Sequence, residues 1–363
     1  MIGGHGGNIH ELGRRLGCSP ADITDLSSNV NPLGPPPGLR EFLGEQLDAI
    51  TALPEVDNRG TIQSYAEFLD VTADRILTGN GTTQFIYSIP RGLSVKEALI
   101  SGPTYSDYAD ACRLQGVAPR YCLALERQSF RPDIDRLEKE IGTADAVFIC
   151  NPNNPTGALI DAADIERLCR RHPQVRFIVD ESYLPFVAGG EKQSLVHSGL
   201  ENLIVLLSIS KIFRIPGLRV GFIVAPSRIA ADMADSVWPW SVNALAQAAV
   251  RFVCDHKPAI DAFVTETRNY LDRERRVLHD RLACIPGLEI YPSTTSFILI
   301  RLPAGLSAAT VWSRLAEERV LIRNCGNFHG LSERFIRISP KSPEANRRVA
   351  ERLAELAQTA ASA

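Results

Sequence analysis

The 363-residue sequence predicts an α/β protein built as a large domain with a mainly parallel sheet flanked by helices, joined to a smaller α+β domain. Three observations predict it. Between about residues 75 and 225, short β-branched runs alternate with longer segments of helical periodicity, the pattern of strand, crossover helix and parallel strand. Several of those runs end directly in polar clusters, as strands do where a parallel sheet opens onto a ligand crevice. Beyond a long helical stretch, further short strand-like runs precede a final helix.

In the first part the expected strands are 98–101, 146–150, 176–180, 203–208 and 220–225. Cys150 runs into Asn151-Pro152-Asn153-Asn154, Val179 into Asp180-Glu181, and Leu207 into Ser208-Ile209-Ser210-Lys211, so these three clusters should face one crevice. Residues 230–281 read as helical and charged on one side, suiting a long helix that leaves the large domain. After it, 288–291, 296–301, 320–323 and 335–338 read as strands, closed by a helix over 343–360. The start of the chain is turn-rich and extended, with Pro32, Pro35, Pro36 and Pro37, and is expected over the small domain or the crevice. The resulting division is an N-terminal segment 1–44, a large domain 45–255 and a small domain 256–363.

Composition narrows the function. With 45% hydrophobic residues and a formal net charge of -3 the chain can fill a sizeable core, and it carries no long basic run. A nucleic-acid or polybasic membrane footprint is therefore not expected, and the partner should be a small molecule. No apolar stretch approaches the roughly 20 residues that span a bilayer. Its eight cysteines are scattered without paired Cys-x-x-Cys spacing, which argues against a metal site or a disulfide framework. Free thiols in a reducing compartment are expected, and because no stretch could span a bilayer and Met1 to Gly7 is glycine-rich rather than charged and then apolar, the protein is expected to be cytoplasmic.

The strongest local signal runs from Ser208 to Gly221, with Lys211 just past a strand end, hydroxyls at Ser208 and Ser210, and Gly217-Leu218-Arg219-x-Gly221 behind it. Such a lysine can bond covalently to an aldehyde while hydroxyl and guanidinium groups hold a phosphate dianion. Taken alone it could equally be a surface lysine in a loop. Asp180, at a neighbouring strand end, can place a carboxylate against a pyridinium nitrogen, so that the ring acts as an electron sink. Tyr183 and Asn154 can donate to an oxygen on that ring. Singly, Asp180 could be a helix N-cap and Tyr183 a core aromatic; their joint appearance at successive strand ends is what points to a site. Gly79-Asn80-Gly81-Thr82-Thr83 precedes an apolar helical stretch and supplies what an anion needs, although a Gly-Asn-Gly turn is as often a tight turn without a ligand. Tyr105, after Ser101-Gly102-Pro103-Thr104, can stack on a planar ring or sit in the core.

The Asn-Pro-x-Asn-Pro-Thr-Gly, Asp-Glu-x-Tyr and Ser-x-Ser-Lys with Gly-Leu-Arg-x-Gly blocks resemble the fold type I pyridoxal-phosphate enzymes, specifically class I/II aminotransferases of the histidinol-phosphate aminotransferase branch. The resemblance covers nearly the whole chain. It implies pyridoxal 5'-phosphate as cofactor, Lys211 as its covalent anchor, Asp180 at the pyridine nitrogen, Tyr183 and Asn154 at the ring oxygen, and Tyr105 stacked on the ring. Gly81, Thr82, Thr83, Ser208, Ser210 and Arg219 would surround the phosphate. It also implies a homodimer.

A narrower resemblance lies at the two ends of the chain. His5-Gly6-Gly7-Asn8, the run from Leu26 to Gly34, Trp238-Pro239-Trp240-Ser241-Val242-Asn243 and the run from Leu321 to Leu331 are similar to threonine-phosphate decarboxylases of cobalamin biosynthesis. This implies that His5, Asn29, Arg323 and Arg337, together with Asn154, surround a phosphorylated amino acid, and that the reaction is decarboxylation of L-threonine O-3-phosphate to (R)-1-amino-2-propanol O-phosphate. Two anionic ends suit two guanidinium forks. The alternatives are an aminotransferase such as histidinol-phosphate aminotransferase, served by the same residues, and a catalytically silent binding module, which would not need an intact Lys211. There are two departures from the pattern. Leu53-Pro54 stands where many relatives carry Tyr-Pro, whose hydroxyl would reach the neighbouring subunit's cofactor, and Ser296 stands before Phe297 where an asparagine is frequent.

Overall fold

The structure is a computed structural model that describes residues 6–361. Its N-terminal segment carries a helix, Ile9–Leu16, and a short strand β1 (Thr24–Asp25). Seven strands then form the large sheet: β2 (Ile76–Gly79), β3 (Ala98–Gly102), β4 (Arg120–Leu123), β5 (Ala146–Cys150), β6 (Arg176–Asp180), β7 (Leu203–Leu207) and β8 (Gly221–Val224). The remaining strands are β9 (Glu289–Ile290), β10 (Ile298–Arg301), β11 (Val320–Leu321), β12 (Arg323–Asn324) and β13 (Phe335–Ile338), before the last helix, Pro343–Ala361.

The large sheet has the order β2-β8-β7-β6-β5-β3-β4. Its pairs from β7 through β6, β5, β3 and β4 are parallel, and only β8 runs against its neighbours β7 and β2. Strands β3, β5 and β8 are buried along their whole length, which is why they read as unbroken apolar runs rather than alternating ones. Helix Gly81–Gly92 packs Phe85, Ile86 and Ile89 against this core. Burying side chains of that size contributes about 1.5–3 kcal/mol each. A second apolar cluster, around Leu278, Leu282, Ile298, Ile336, Val349 and Leu353, lies under the four-stranded antiparallel sheet β12-β13-β10-β9.

Two expectations need correction. The helical stretch 230–281 is not continuous: a helix ends at Ala234, the next spans Ala244–Asp255, and a third covers Lys257–Ala283. The loop between the first two holds Trp238-Pro239-Trp240, where a proline without an N–H and a positive φ of 56° at Trp240 are incompatible with helix. The run 320–323 is two strands rather than one. β11 pairs in parallel with β1, whereas β12 joins β13, so the chain changes partners at Ile322. The short edge elements β2 and β4 were not anticipated.

The N-terminal segment is tied down at two points. The β1–β11 pair fixes one end, and Asn31 fixes the other by donating its backbone N–H to the carbonyl of Lys211 at 3.0 Å and its side chain to Ile212 and Thr267.

Candidate active site

Because β3, β5, β6 and β7 run in parallel, their carboxyl ends deliver Tyr105, Asn154, Asp180 and Lys211 to the same edge of the sheet. Strand β8 runs the other way, so it is its beginning, next to Arg219, that reaches this edge. The β2–β8 register pairs Gly79 with Gly221 and thereby sets the start of helix Gly81–Gly92 beside Arg219. Together these ends enclose a cavity of about 210 Å³. It is lined by Gly81, Thr82, Thr83, Tyr105, Asn154, Asp180, Tyr183, Ser208, Ser210, Lys211 and Arg219, and, from the other side, by Asn29, Arg323 and Arg337. Every site residue expected from sequence thus lines one cavity except His5, which lies outside the described residues. Among the described residues, no group of three or more His, Cys, Asp or Glu side chains is placed to hold a metal ion.

One end of the cavity is made for an anion. Gly81 has φ +74°, and a Cβ there would lie 2.7 Å from an Arg219 guanidinium nitrogen. A Cβ on Gly221 would lie 2.3 Å from the backbone nitrogen of Thr82. Glycine at both places lets the guanidinium and the exposed amides of the helix N-terminus converge, with the Thr82, Thr83, Ser208 and Ser210 hydroxyls around them. Ser210 is steadied by donating its hydroxyl to the carbonyl of Val220 at 3.2 Å.

The middle holds the acid and the amine. Asp180 accepts from the hydroxyl of Tyr108 at 2.8 Å and from the backbone N–H of Ser182 at 2.9 Å. Glu181, next in the chain, faces the opposite side of the sheet, where its carboxylate takes bonds from Leu195 and Ser194 and burial pushes its pKa up to about 7. Burial, helped by the Arg219 and Arg337 charges, brings the Lys211 amine down to about 8, within reach of its nucleophilic form. Tyr183 is pushed up to about 12 by burial, against the pull of Arg337 and of Asn29, whose side-chain amide donates to its hydroxyl at 3.2 Å. Its ring meets Phe297 edge-on, and Tyr105 meets Tyr108 in the same way.

The far end is strongly basic. In the β12–β13 register Arg323 lies directly opposite Arg337, and the two residues are only 9% and 4% exposed. Like charges paired across strands destabilise a sheet. Burial lowers both guanidinium pKa values, and the neighbouring Arg337 charge adds to burial in bringing that of Arg323 to about 10. Neither forms an ion pair among the described residues. Arg337 donates to Asn154 Oδ1 and to the carbonyl of Ser27, and lies over the Phe297 ring, while its buried Nε has no partner among the described residues. Arg323 donates to Asn324 and Asn327 and lies over Phe328.

Sequence reasoning missed Tyr108, Ser27, Ser182 and Phe328, all of which line the cavity. Tyr108 lies in the first turn of helix Asp107–Leu114, just beyond the loop that carries Tyr105. Leu53 is 76% exposed and offers no hydrogen-bonding group.

The chain belongs to the aminotransferase class I and II family, whose model matches residues 21–353. Within it, the chain is 32% identical over 350 residues to the threonine-phosphate decarboxylase of Salmonella typhimurium, covering 95% of this chain and 94% of that protein. The solved L-threonine-O-3-phosphate decarboxylase of Porphyromonas gingivalis superposes with a TM-score of 0.83 at 32% identity, over 93% of this chain and all of that one. The adenosylcobalamin biosynthesis bifunctional protein CobDQ of Leptospira interrogans is 29% identical over 95% of this chain, which spans only 40% of its length. The histidinol-phosphate aminotransferase of Clostridium acetobutylicum has a TM-score of 0.84 at 26% identity, over 93% of this chain and all of that one.

The family's cofactor is pyridoxal 5'-phosphate, and the cavity suits it. An anion cradle that no Cβ could share lies at one end, and a lysine with a lowered pKa and a hydrogen-bonded carboxylate lie beyond it.

Proposed function

We propose that this protein decarboxylates L-threonine O-3-phosphate to (R)-1-amino-2-propanol O-phosphate, with pyridoxal 5'-phosphate, in cobalamin biosynthesis. The observation that carries the reading is the Arg323–Arg337 pair. Two buried guanidinium groups placed side by side, one with an unpartnered Nε, call for a ligand with concentrated negative charge, and a phosphorylated amino acid brings a carboxylate and a phosphate. The decarboxylases among its relatives support the same choice.

In this reading Arg219, the Thr82, Thr83, Ser208 and Ser210 hydroxyls and the helix N-terminus at Gly81 hold the cofactor phosphate, and Lys211 anchors its aldehyde carbon. Asp180 keeps the ring nitrogen protonated, Tyr183 and Asn154 donate to the ring oxygen, and Tyr105 covers a face. When bound, the cofactor supplies an electron sink for the pair left at Cα as the carboxylate departs. Arg323, Arg337, Asn29 and His5 orient the substrate so that the bond to the carboxylate, rather than the bond to hydrogen, is the one cut. Lys211, with its amine poised near 8, returns a proton to Cα.

The active form in this reading is a cytoplasmic homodimer, divided as 1–44, 45–255 and 256–363. Leu47, Ile50, Leu53, Val56, Trp238 and Trp240 are exposed, and the backbone of Trp240 donates to Val56, so the two loops form one apolar surface. Asn243 ties that region to Leu218, beside Arg219, so a second copy docked on this surface would lie near the Arg219 end of the cavity. All eight cysteines are free thiols, and no helix among the described residues is long and apolar enough to cross a membrane.

The test is carbon dioxide release from L-threonine O-3-phosphate by the loaded protein without a 2-oxo acid. Glutamate formation from histidinol phosphate chemistry with 2-oxoglutarate, without carbon dioxide, would instead make the protein a transferase.

A further inference from the structure

We propose that Lys341 is a positioning residue of the active site: its ammonium grips the backbone carbonyls of Ser28 and Val30, on either side of Asn29, and so fixes the Asn29 carboxamide against Tyr183. The proposal rests on the cofactor and substrate assignments above.

Side chains two residues apart along an extended chain share a face. Arg337 lies on β13, and Ser339 and Lys341 follow it at that spacing. All three reach the same stretch of the N-terminal segment. Arg337 donates to the carbonyl of Ser27 at 2.7 Å, and Ser339 donates its hydroxyl to Asn29 Oδ1 at 2.9 Å and its backbone N–H to Leu26 at 2.8 Å. Lys341 Nζ donates to Ser28 at 3.0 Å and to Val30 at 3.2 Å. Of the three, the lysine alone holds both flanks of Asn29.

The Asn29 amide is fully directed by these contacts. Its oxygen is taken by Ser339, so its nitrogen faces the Tyr183 hydroxyl at 3.2 Å. With its oxygen already accepting that bond, Tyr183 is left to donate its own proton into the cavity. Lys341 is itself anchored. Its backbone N–H donates to Asn346, its carbonyl accepts from the Tyr270 hydroxyl at 2.8 Å, and Asn346 also donates to the buried Glu274. A lysine placed among backbone carbonyls, with its pKa lowered to about 8 chiefly by burial, is an arrangement that surface solvation would not produce. No pyridoxal-phosphate motif singles out this residue, because its contribution is made through another side chain.

The experiment uses cofactor-loaded protein and four variants: Lys341→Met, which keeps the apolar stem, Lys341→Arg, Asn29→Ala, and the Lys341→Met/Asn29→Ala double variant. The readouts are the pH midpoint of the visible absorption band and kcat/KM for threonine phosphate. A donor to the ring oxygen favours that oxygen's ionised form, so loosening Tyr183 should raise the midpoint, by on the order of 0.5 to 1 unit for one hydrogen bond. The expected result is a similar rise in Lys341→Met and Asn29→Ala, no further rise in the double variant, and at least partial recovery in Lys341→Arg. If Lys341→Met melts earlier with an unmoved midpoint, or if the two single effects add, the positioning role is refuted. Should Lys341→Met fail to fold, Ser339→Ala releases the same carboxamide from its other contact and must shift the midpoint in the same direction. Protein that shows these shifts yet releases no carbon dioxide would sustain the role of Lys341 and overturn the lyase reading.

Discussion

Tyr108 donates its hydroxyl to Asp180 across 2.8 Å, and the ring that carries this hydroxyl is stacked on Phe148. The carboxylate proposed to meet the cofactor nitrogen is thus oriented by a buried phenol as well as by the Ser182 amide. Tyr108→Phe keeps the ring packing and removes one donor from a buried carboxylate, a loss of about 1.5–3 kcal/mol. A pyridinium would give Asp180 a replacement partner. The melting point should therefore fall more in the cofactor-free protein than in the loaded one, which thermal unfolding of both forms will show. Equal losses would mean that no cation meets Asp180.

Gly81→Ala should cripple cofactor retention more than its size suggests. A left-handed backbone costs an alanine about 1–2 kcal/mol, and the new methyl would meet the Arg219 guanidinium. Arg219→Ala removes the charge without the strain and should weaken the phosphate contact by about 1.5–3 kcal/mol. Equilibrium dialysis against pyridoxal phosphate separates the two. If the wild type and both variants lose cofactor equally, the phosphate does not sit at this end of the cavity.

The lowered pKa of Lys211 makes a prediction with a definite sign. Only the neutral amine attacks an aldehyde, and its pKa of about 8 stands well below the ordinary 10.5. Cofactor incorporation into cofactor-free protein should accelerate about tenfold per pH unit below 8 and level off above it, whereas an ordinary lysine would continue accelerating to 10.5. Between those two values the unfolded chain binds more protons than the folded one, so this residue's contribution to stability grows as pH rises through the window. Rapid-mixing absorbance measures the rate. Lys211→Ala should fold, show no covalent incorporation, and lose roughly 100- to 10,000-fold in turnover from the missing proton transfer alone.

The central sheet was legible because β5, β6 and β7 are apolar runs that stop at Asn151, Asp180 and Ser208, and polar residues at the ends of buried strands have few structural reasons to be there. The same signal placed Lys211, Asp180 and Asn154 together. β4 was not legible, since the edge segment Arg120–Leu123 is only four residues long and half solvated, too short for a period to stand out. Nor was the break at Trp238, where a helical periodicity on both sides masked a proline loop. Tyr108 and Lys341 escaped for another reason. Each acts through a second side chain, Asp180 or Asn29, and a sequence carries no mark of which residue a buried hydroxyl or ammonium will meet. The pairing of Arg323 with Arg337 depends on strand register, which two separate arginines do not reveal.

That register also frames the question of which guanidinium serves which end of the substrate. A substrate held at one end can turn about its N to Cα bond, so the choice of scissile bond depends on the remote anchor, and binding energy gained there is used for orientation. L-threonine, which lacks the phosphate, should therefore be poorer than threonine phosphate in kcat as well as in KM. Arg323→Met and Arg337→Met can be compared by the ratio of kcat/KM for the two compounds. The arginine that holds the phosphate should, when removed, collapse this ratio by about tenfold or more, the loss of a charge-assisted bond, because threonine never used it. Removing the arginine that holds the carboxylate should depress both substrates together and leave the ratio unchanged. Arg337, with its buried and unpartnered Nε and its bond to Asn154, lies on the side of the cavity shared with Tyr183, and is expected to be the carboxylate anchor. Arg323, over Phe328, should then be the one whose loss erases the preference for the phosphorylated substrate. If both substitutions leave the ratio intact, neither arginine holds the phosphate.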